Sequence, residues 1–396
     1  MSWNRLNRVQ IAAFCSLIGT FVGCRPDSPK LPELAPGVVI KPPSDSTSDD
    51  GIITKIKAAP AKSMSGPGLA AAQGGTTVRL LKSGTHELII PLPQAVDAQA
   101  PLWYCVRSSP ANAVVEYQIR SREGNQVLST KLKGEANQEV KIEWHAVVLI
   151  AGTSIVPNRT APADFAVATE CVQSRSEKIV QLAEKLWPKS GKAADFALNI
   201  QTHIREMKQA KQPKSLDALG ILDSGANGIC TANANLAAAL MRAKGVPART
   251  MAVIPPISQR LEMHRIVEYF DEGAWKVFDP SSLHADIPMK PFQYVIMAKT
   301  TKADEDLAMK LRMGAMPGCP FAQEIELLTA GITPWGQDFF WTQAKPIAEF
   351  DVTSDAAKSA ADRWKQFLDG GRANEAMTAA ANARTSEELS QALKQK

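Results

Sequence analysis

The chain has 396 residues, 45% of them hydrophobic, which is ample for more than one core. Its net charge of +5 is mild for this length, and no run of Lys and Arg is interleaved with aromatics, so nothing points to nucleic acid as a partner. Six cysteines are too few for a scaffold built on disulfides.

At the start, Arg5 and Arg8 precede the apolar run "IAAFCSLIGTFVG". That run suits an export signal and is too short to span a bilayer. It ends "FVGC", and small residues before a cysteine resemble the lipobox of bacterial lipoproteins. The resemblance implies cleavage after residue 23, lipid attachment at Cys24, and a protein held on a membrane in the cell envelope, outside the cytoplasm. Phe21 stands where the lipobox usually has Leu. An ordinary cleaved signal peptide and an uncleaved anchor are the alternatives. No later segment has the length and polarity of a transmembrane helix.

Residues 24–75 are rich in Pro, Gly, Ser and Ala and cannot bury enough apolar surface to offset their ordering entropy. They read as a flexible tether with a reach of roughly 40 Å. Residues 76–170 then carry short runs of period two, among them "HELIIPLP", "AVVEYQIRS" and "EVKIEWHAVVLIAG", separated by turns such as "REGN". These predict an antiparallel β-sandwich. His86 and His145 fall in it as strand residues, with no second ligand at metal spacing.

Beyond residue 171 the period becomes helical. "SEKIVQLAEKLWP" opens on a Ser cap and stops at Pro188. "AADFALNIQTHIREMKQA" puts Phe196, Ile200, His203, Ile204 and Met207 on one face, so His203 reads as a packed helix residue. A third helix begins at Cys230 and is closed by Gly245 and Pro247. "EMHRIVEYF", the turn "DEG" and "AWKVFDP" then predict a hairpin. Residues 291–396 mix a strand-like "FQYVIMA", the aromatics Trp335, Phe339, Phe340 and Trp341, and Ala-rich helical stretches with Trp364, Phe367 and Leu368.

Cys230 is the residue with chemistry to offer. A thiol at a helix start gains from the unpaired amides and the macrodipole, which favour thiolate. An imidazole can take and return the proton, and an acid can fix the imidazole tautomer. His264 on the first hairpin strand and Asp279 at the end of the second supply both types. Turn register alone leaves open whether their side chains share a face.

The segments "GICTANANLAAALMRAKGVPAR" and "HRIVEYFDEGAWKVFDPSS" resemble the core of the transglutaminase-like superfamily. The matching positions are Gly228 and Cys230, Arg242 to Arg249, His264, and Trp275 to Pro280, within about residues 175 to 285. The resemblance implies a papain-like fold with Cys230 as nucleophile, His264 as general base and acid, and Asp279 as orienting carboxylate. Two features depart from the pattern. Ile266 stands where an aromatic is usual. No upstream oxyanion donor sits at the family spacing, the candidates being Trp187, Gln201 and Asn227. Removing one such donor costs about a hundred- to a thousand-fold in rate. Arg249 reads as a brace of the helix–strand joint rather than a site residue.

The expected architecture is therefore α+β: a signal peptide at 1–23, a tether at 24–75, a β-sandwich at 76–170, a papain/transglutaminase-like core at 171–290, and a partly helical extension at 291–396. The expected function is envelope-anchored acyl transfer on amides through a Cys230 thioester, with a protein or peptide substrate. Hydrolysis is preferred to amine transfer because water needs no second-substrate site. No cofactor and no metal is expected, since H-E-x-x-H, paired C-x-x-C and P-loop patterns are missing. The alternative is a non-catalytic envelope binding module on the same scaffold, and a third reading gives the sandwich a carbohydrate ligand. The discriminator is an apolar groove, rimmed by the C-terminal aromatics, leading to Cys230. Cys105 and Cys171 are a candidate disulfide across the sandwich–helix junction, if their spacing permits.

Overall fold

The computed structural model describes residues 64–122, 124–152, 163–209, 215–257, 263–281, 286–310, 326–336 and 339–349, together with the strand 38–40 and scattered positions beyond 350. The strands β1 (Val38–Ile40), β2 (Gly68–Leu80), β3 (Gly84–Pro91), β4 (Gln99–Ser109), β5 (Val114–Arg122), β6 (Asn125–Gly134) and β7 (Glu139–Ile150) come first. Helices α1 (Glu177–Leu186) and α2 (Ala193–Glu206), the short strand β8 (Lys208–Gln209), helix α3 (Ala218–Ser224), β9 (Ala226–Asn227) and helix α4 (Cys230–Ala243) follow. Then come β10 (Ala248–Ile254), β11 (His264–Asp271), β12 (Ala274–Phe278), β13 (Val295–Lys299), helix α5 (Lys302–Lys310), β14 (Glu326–Leu327), β15 (Ile332–Pro334) and β16 (Phe340–Glu349).

Two antiparallel sheets face each other in the N-terminal β-rich region. One has the order β1-β5-β6-β3-β14. The other runs β15-β2-β7-β4, with β16 also paired to β2. Inward residues such as Leu80, Leu88, Ile90, Ile142 and Trp144 are fully buried between them.

Three expectations about this region need correction. Residues 68–75, read as tether, are the first half of β2. The run "GLAAAQGG" is small because the sheet is tightly covered there. A Cβ on Gly74 would lie 2.6 Å from the Trp144 ring, and one on Gly75 2.5 Å from the Trp341 indole nitrogen. Residues 38–40, also placed in the tether, pair with β5 through Val38↔Ile119. Strands β14, β15 and β16, placed in a partly helical extension, belong to the sandwich. β16 pairs with β2 from Phe340↔Thr76 to Glu349↔Gly68. These pairings link segments far apart in the chain, which local periodicity cannot register.

The second half is a four-stranded sheet, β12-β11-β10-β13, with helices on one face. The expected boundary at residue 290 therefore cuts this sheet, because β13 lies beside β10. Helix α4 is the centre of the helical layer. Every residue from Thr231 to Arg242 is buried, as expected of a helix that is apolar nearly all round. Its alanines let α1, α2, α3 and the sheet approach closely, and Ile179, Phe196, Ile200, Ile221, Leu236, Leu240, Tyr269 and Phe278 form one cluster with it. The β11–β12 turn places Glu272 at φ 51 and Gly273 at φ 78, both left-handed, which fixes a tight hairpin.

The two halves share a core. Ala252, Ile254, Val295, Met297 and Ala298 of the second sheet belong to the sandwich cluster. β13 is the edge of its sheet, and its outer backbone is satisfied by side-chain amides from the sandwich. Gln99 donates to Ile296 O (2.9 Å) and accepts from Ile296 N (2.8 Å). Asn125 does the same for Lys299, at 2.8 Å in both directions. Gln94 donates to Met297 O at 2.8 Å. A sheet edge that would otherwise invite foreign strands is thereby closed.

Candidate active site

Cys230 is the first residue of α4, half-buried, behind the N-cap Ile229. Its backbone N–H lies among the first-turn amides that a helix leaves without intrahelical partners. The thiol meets the His264 ring and the backbone N–H of Arg265. Burial alone would push this thiol up. The His264 hydrogen bond and charge, the Arg265 N–H and the Arg265 guanidinium outweigh it and hold the thiol below its ordinary value.

His264 opens β11. Its Nε2 lies 2.7 Å from Asp279 Oδ2, which leaves Nδ1 for the thiol. The register explains how they meet. Val267 pairs with Phe278, so the ladder continued places 264 opposite 281 and puts 279 on the same face, one diagonal away. Burial opposes a charged imidazole, but Asp279 and Cys230 together raise His264 well above the usual histidine range. Lowered thiol and raised imidazole favour a thiolate–imidazolium pair.

Asp279 is itself buried and firmly held. Ser281 N–H donates to its Oδ1 at 2.8 Å, and Gln201 Nε2 donates to its backbone carbonyl at 2.7 Å. Gln201 is therefore engaged away from any oxyanion. Trp187 packs edge-on against Phe196, with ring centroids 4.9 Å apart, in the helical layer. The Asn227 side chain lies outside the described residues. Sequence reasoning missed Ser281 and Asn233, whose Nδ2 donates to Ser281 Oγ at 3.0 Å. The signal was the polar Asn233 in an Ala-rich helix, one turn beyond Cys230.

Other expected residues fall as follows. Ile266 is fully buried in a cluster with Met251, Val253, Val277, Tyr294 and Ile296, so an aliphatic fills the place where the family has an aromatic. Arg249 pairs with Glu268 and lies 4.5 Å from the Phe165 ring and 5.0 Å from that of Trp275, which makes it a brace. Cys105 and Cys171 are not a disulfide. Cys171 instead donates to Glu305 O at 2.9 Å, and Cys105 stands opposite His145 in the β4–β7 ladder. His86 Nε2 meets Lys82 O at 2.8 Å. His203 sits half-buried at the margin of α2, whose buried stripe is Phe196, Ala197, Ile200, Gln201 and Ile204. Trp341 is buried against β2, and Trp335 stacks on Arg79 at 3.0 Å, so these aromatics serve the sandwich. Cys24 and Cys319 lie outside the described residues. Among the described residues no His, Cys, Asp or Glu cluster suits a metal, and no helix is long and apolar enough to cross a membrane.

The family model described as the transglutaminase-like superfamily matches residues 177–280. No curated protein matches in sequence. A candidate cysteine protease from Cytophaga hutchinsonii is similar in structure, at 17% identity and a TM-score of 0.48, over 71% of this chain and 99% of that one. A candidate protease from Parabacteroides distasonis is similar at 16% identity and a TM-score of 0.27, over 57% of this chain and 46% of that one. Cys230, His264 and Asp279, brought together at one end of the α4–β11 contact, lie inside the matched segment, and residues 177–280 form a transglutaminase-like core.

Proposed function

We propose that this protein is a cysteine enzyme of acyl transfer, with Cys230 as nucleophile, His264 as acid and base, and Asp279 as the group that orients and stabilises the imidazolium. The observation that carries this is the alignment of thiol, imidazole and carboxylate, with His264 Nε2 at 2.7 Å from Asp279 Oδ2. The Cys230 thiolate attacks an amide carbonyl, and the carbonyl oxygen gains its negative charge beside the first-turn amides of α4. His264 Nδ1–H then passes its proton to the leaving amine, the C–N bond breaks, and a thioester remains on Sγ. Neutral His264 takes a proton from the incoming acceptor, which displaces the thiolate and restores the starting pair. Water as acceptor makes the reaction a peptide or amide hydrolysis, and that is the acceptor we favour, because water requires no site of its own. The "FVGC" junction supports lipid attachment at Cys24 and action in the cell envelope.

The test has two arms. Full-length protein is treated with iodoacetamide, and each cysteine is followed by mass spectrometry. Cys230 is expected to react fastest, and His264→Ala to remove its advantage over Cys105, Cys171 and Cys319. A peptide library is then incubated in ¹⁸O-water with and without a biotinylated primary amine. New carboxylates carrying ¹⁸O indicate hydrolysis, and biotin incorporation indicates amine transfer. Neither product, from a protein whose Cys230 is no more reactive than its other thiols, would leave the binding-module reading.

A further inference from the structure

We infer that Asn233 and Ser281 form a latch that sets the alignment of the thiol with the acid, as positioning residues for Cys230, His264 and Asp279. This rests on the reading that those three act together. Cys230 arrives on helix α4, while His264 and Asp279 arrive on the β11–β12 hairpin. The two elements pack through apolar side chains, among them Leu236, Leu240, Val267 and Tyr269. Misplacement of a reacting group by about 1 Å costs on the order of a hundredfold in rate, so a polar tie between helix and hairpin has a task.

Asn233 provides that tie. It lies three residues after Cys230, only 4% exposed, among alanines and a leucine. Its Oδ1 accepts from the Gly228 N–H at 3.4 Å, in the loop that leads into Cys230. Its Nδ2 donates to Ser281 Oγ at 3.0 Å. The Ser281 N–H donates to Asp279 Oδ1 at 2.8 Å, which leaves Oδ2 to His264. The sequence Gly228–Asn233–Ser281–Asp279–His264 thus runs as a continuous line of hydrogen bonds and returns to the thiol it started beside. Asparagine suits the middle position because it accepts on one side and donates on the other without charge. An aspartate there would add a second negative group near Asp279 and the thiolate. Ser281 is exposed, and its hydroxyl serves the core through the buried Asn233 amide. The pH profile, rather than stability, separates alignment from folding.

The experiment measures the rate of Cys230 alkylation by iodoacetamide across pH in the full-length protein, with melting temperatures recorded beside it. Wild type is expected to react well below the pH at which an ordinary thiol, of pKa about 8.5, loses its thiolate. Ser281→Ala is expected to slow Cys230 at pH 6 by about three- to tenfold, the loss of one hydrogen bond. It should also move the acid limb upward, with a modest fall in melting temperature because the buried Asn233 Nδ2 loses its acceptor. Ser281→Thr, which keeps Oγ, should restore both rate and limb. Asn233→Ala should shift the limb in the same direction while also lowering the melting temperature. His264→Ala separates the two levels. If it leaves the wild-type profile intact, the underlying reading fails and the latch with it. If it abolishes the acid-range reactivity while Ser281→Ala matches wild type in rate and limb, the reading stands and the latch is overturned.

Discussion

Replacing Glu305 by Ala should destabilise the whole second half of the molecule, although Glu305 lies outside the matched segment 177–280. Its carboxylate and the Arg242 guanidinium are both fully buried and joined bidentately, by 2.9 Å contacts on each oxygen. Arg242 also donates to Ala248 O at 2.7 Å and Val167 O at 3.0 Å, and Thr169 Oγ1 donates to Glu305 at 2.6 Å. The variant leaves a guanidinium in a dry site with two carbonyls and no counter-charge. Breaking a buried pair from one side costs about 3–5 kcal/mol. The Thr169 hydroxyl keeps the Val172 N–H on its oxygen but loses the acceptor of its O–H, which adds about 1–3 kcal/mol. Together these rival the total stability of many domains, about 5–15 kcal/mol. Urea unfolding followed by tryptophan fluorescence should show the midpoint falling steeply. A double variant, Arg242→Met with Glu305→Leu, should recover the part of the loss that comes from the stranded charge, while the Ala248 and Val167 carbonyls and the Thr169 O–H lose their partners. A single-variant loss under about 1 kcal/mol, or a double variant no better than the single, would refute the account of a pair whose cost lies in separation.

Three further predictions concern the site and the anchor. Asp279→Asn should leave the melting temperature nearly unchanged and slow turnover by at least about a hundredfold, since the amide cannot stabilise the imidazolium; kcat measured beside thermal melting checks this. The rate of amide cleavage should be bell-shaped in pH: the acid limb, where thiolate is lost, lies below the ordinary thiol value, and the alkaline limb follows His264, which is pushed up to about 10. Asp279→Asn removes a cause of that rise, so the alkaline limb should move down, and a rate profile across pH 5–11 would expose a limb that stays put. Metabolic labelling with a fatty acid should mark wild type and miss Cys24→Ser, and equal labelling of the two would exclude the lipid anchor.

Much of the site was legible because its parts are local. Cys230 follows a glycine turn and opens an alanine-rich helix, and His264 and Asp279 flank one hairpin. Only the register Val267↔Phe278 was needed to put both side chains on one face, and that depends on the geometry of the turn at Glu272 and Gly273. The braces were harder to see. Gln201 reaches the Asp279 carbonyl across 78 positions, and Asn233 reaches Ser281 across 48. The strand at 68–75 was hidden for another reason. Glycine and alanine there make room for Trp144 and Trp341, so the composition of a linker and that of a crowded sheet coincide.

The path of the chain through the sandwich has a consequence for its synthesis. Thr76 in β2 hydrogen-bonds to Phe339, 263 positions later, with the whole helical half made in between. At about 5–20 residues per second, β2 waits roughly 10–50 s on the ribosome for that neighbour. During this interval β7 already covers one side of β2, while the other side offers unpaired backbone in a stretch of small, apolar residues. The helical half can therefore assemble before the sandwich closes, and closure is a late, long-range step of the slow kind. Any exported form of the chain must cross that exposed stage again after translocation. The demand for protection from aggregation thus falls on β2.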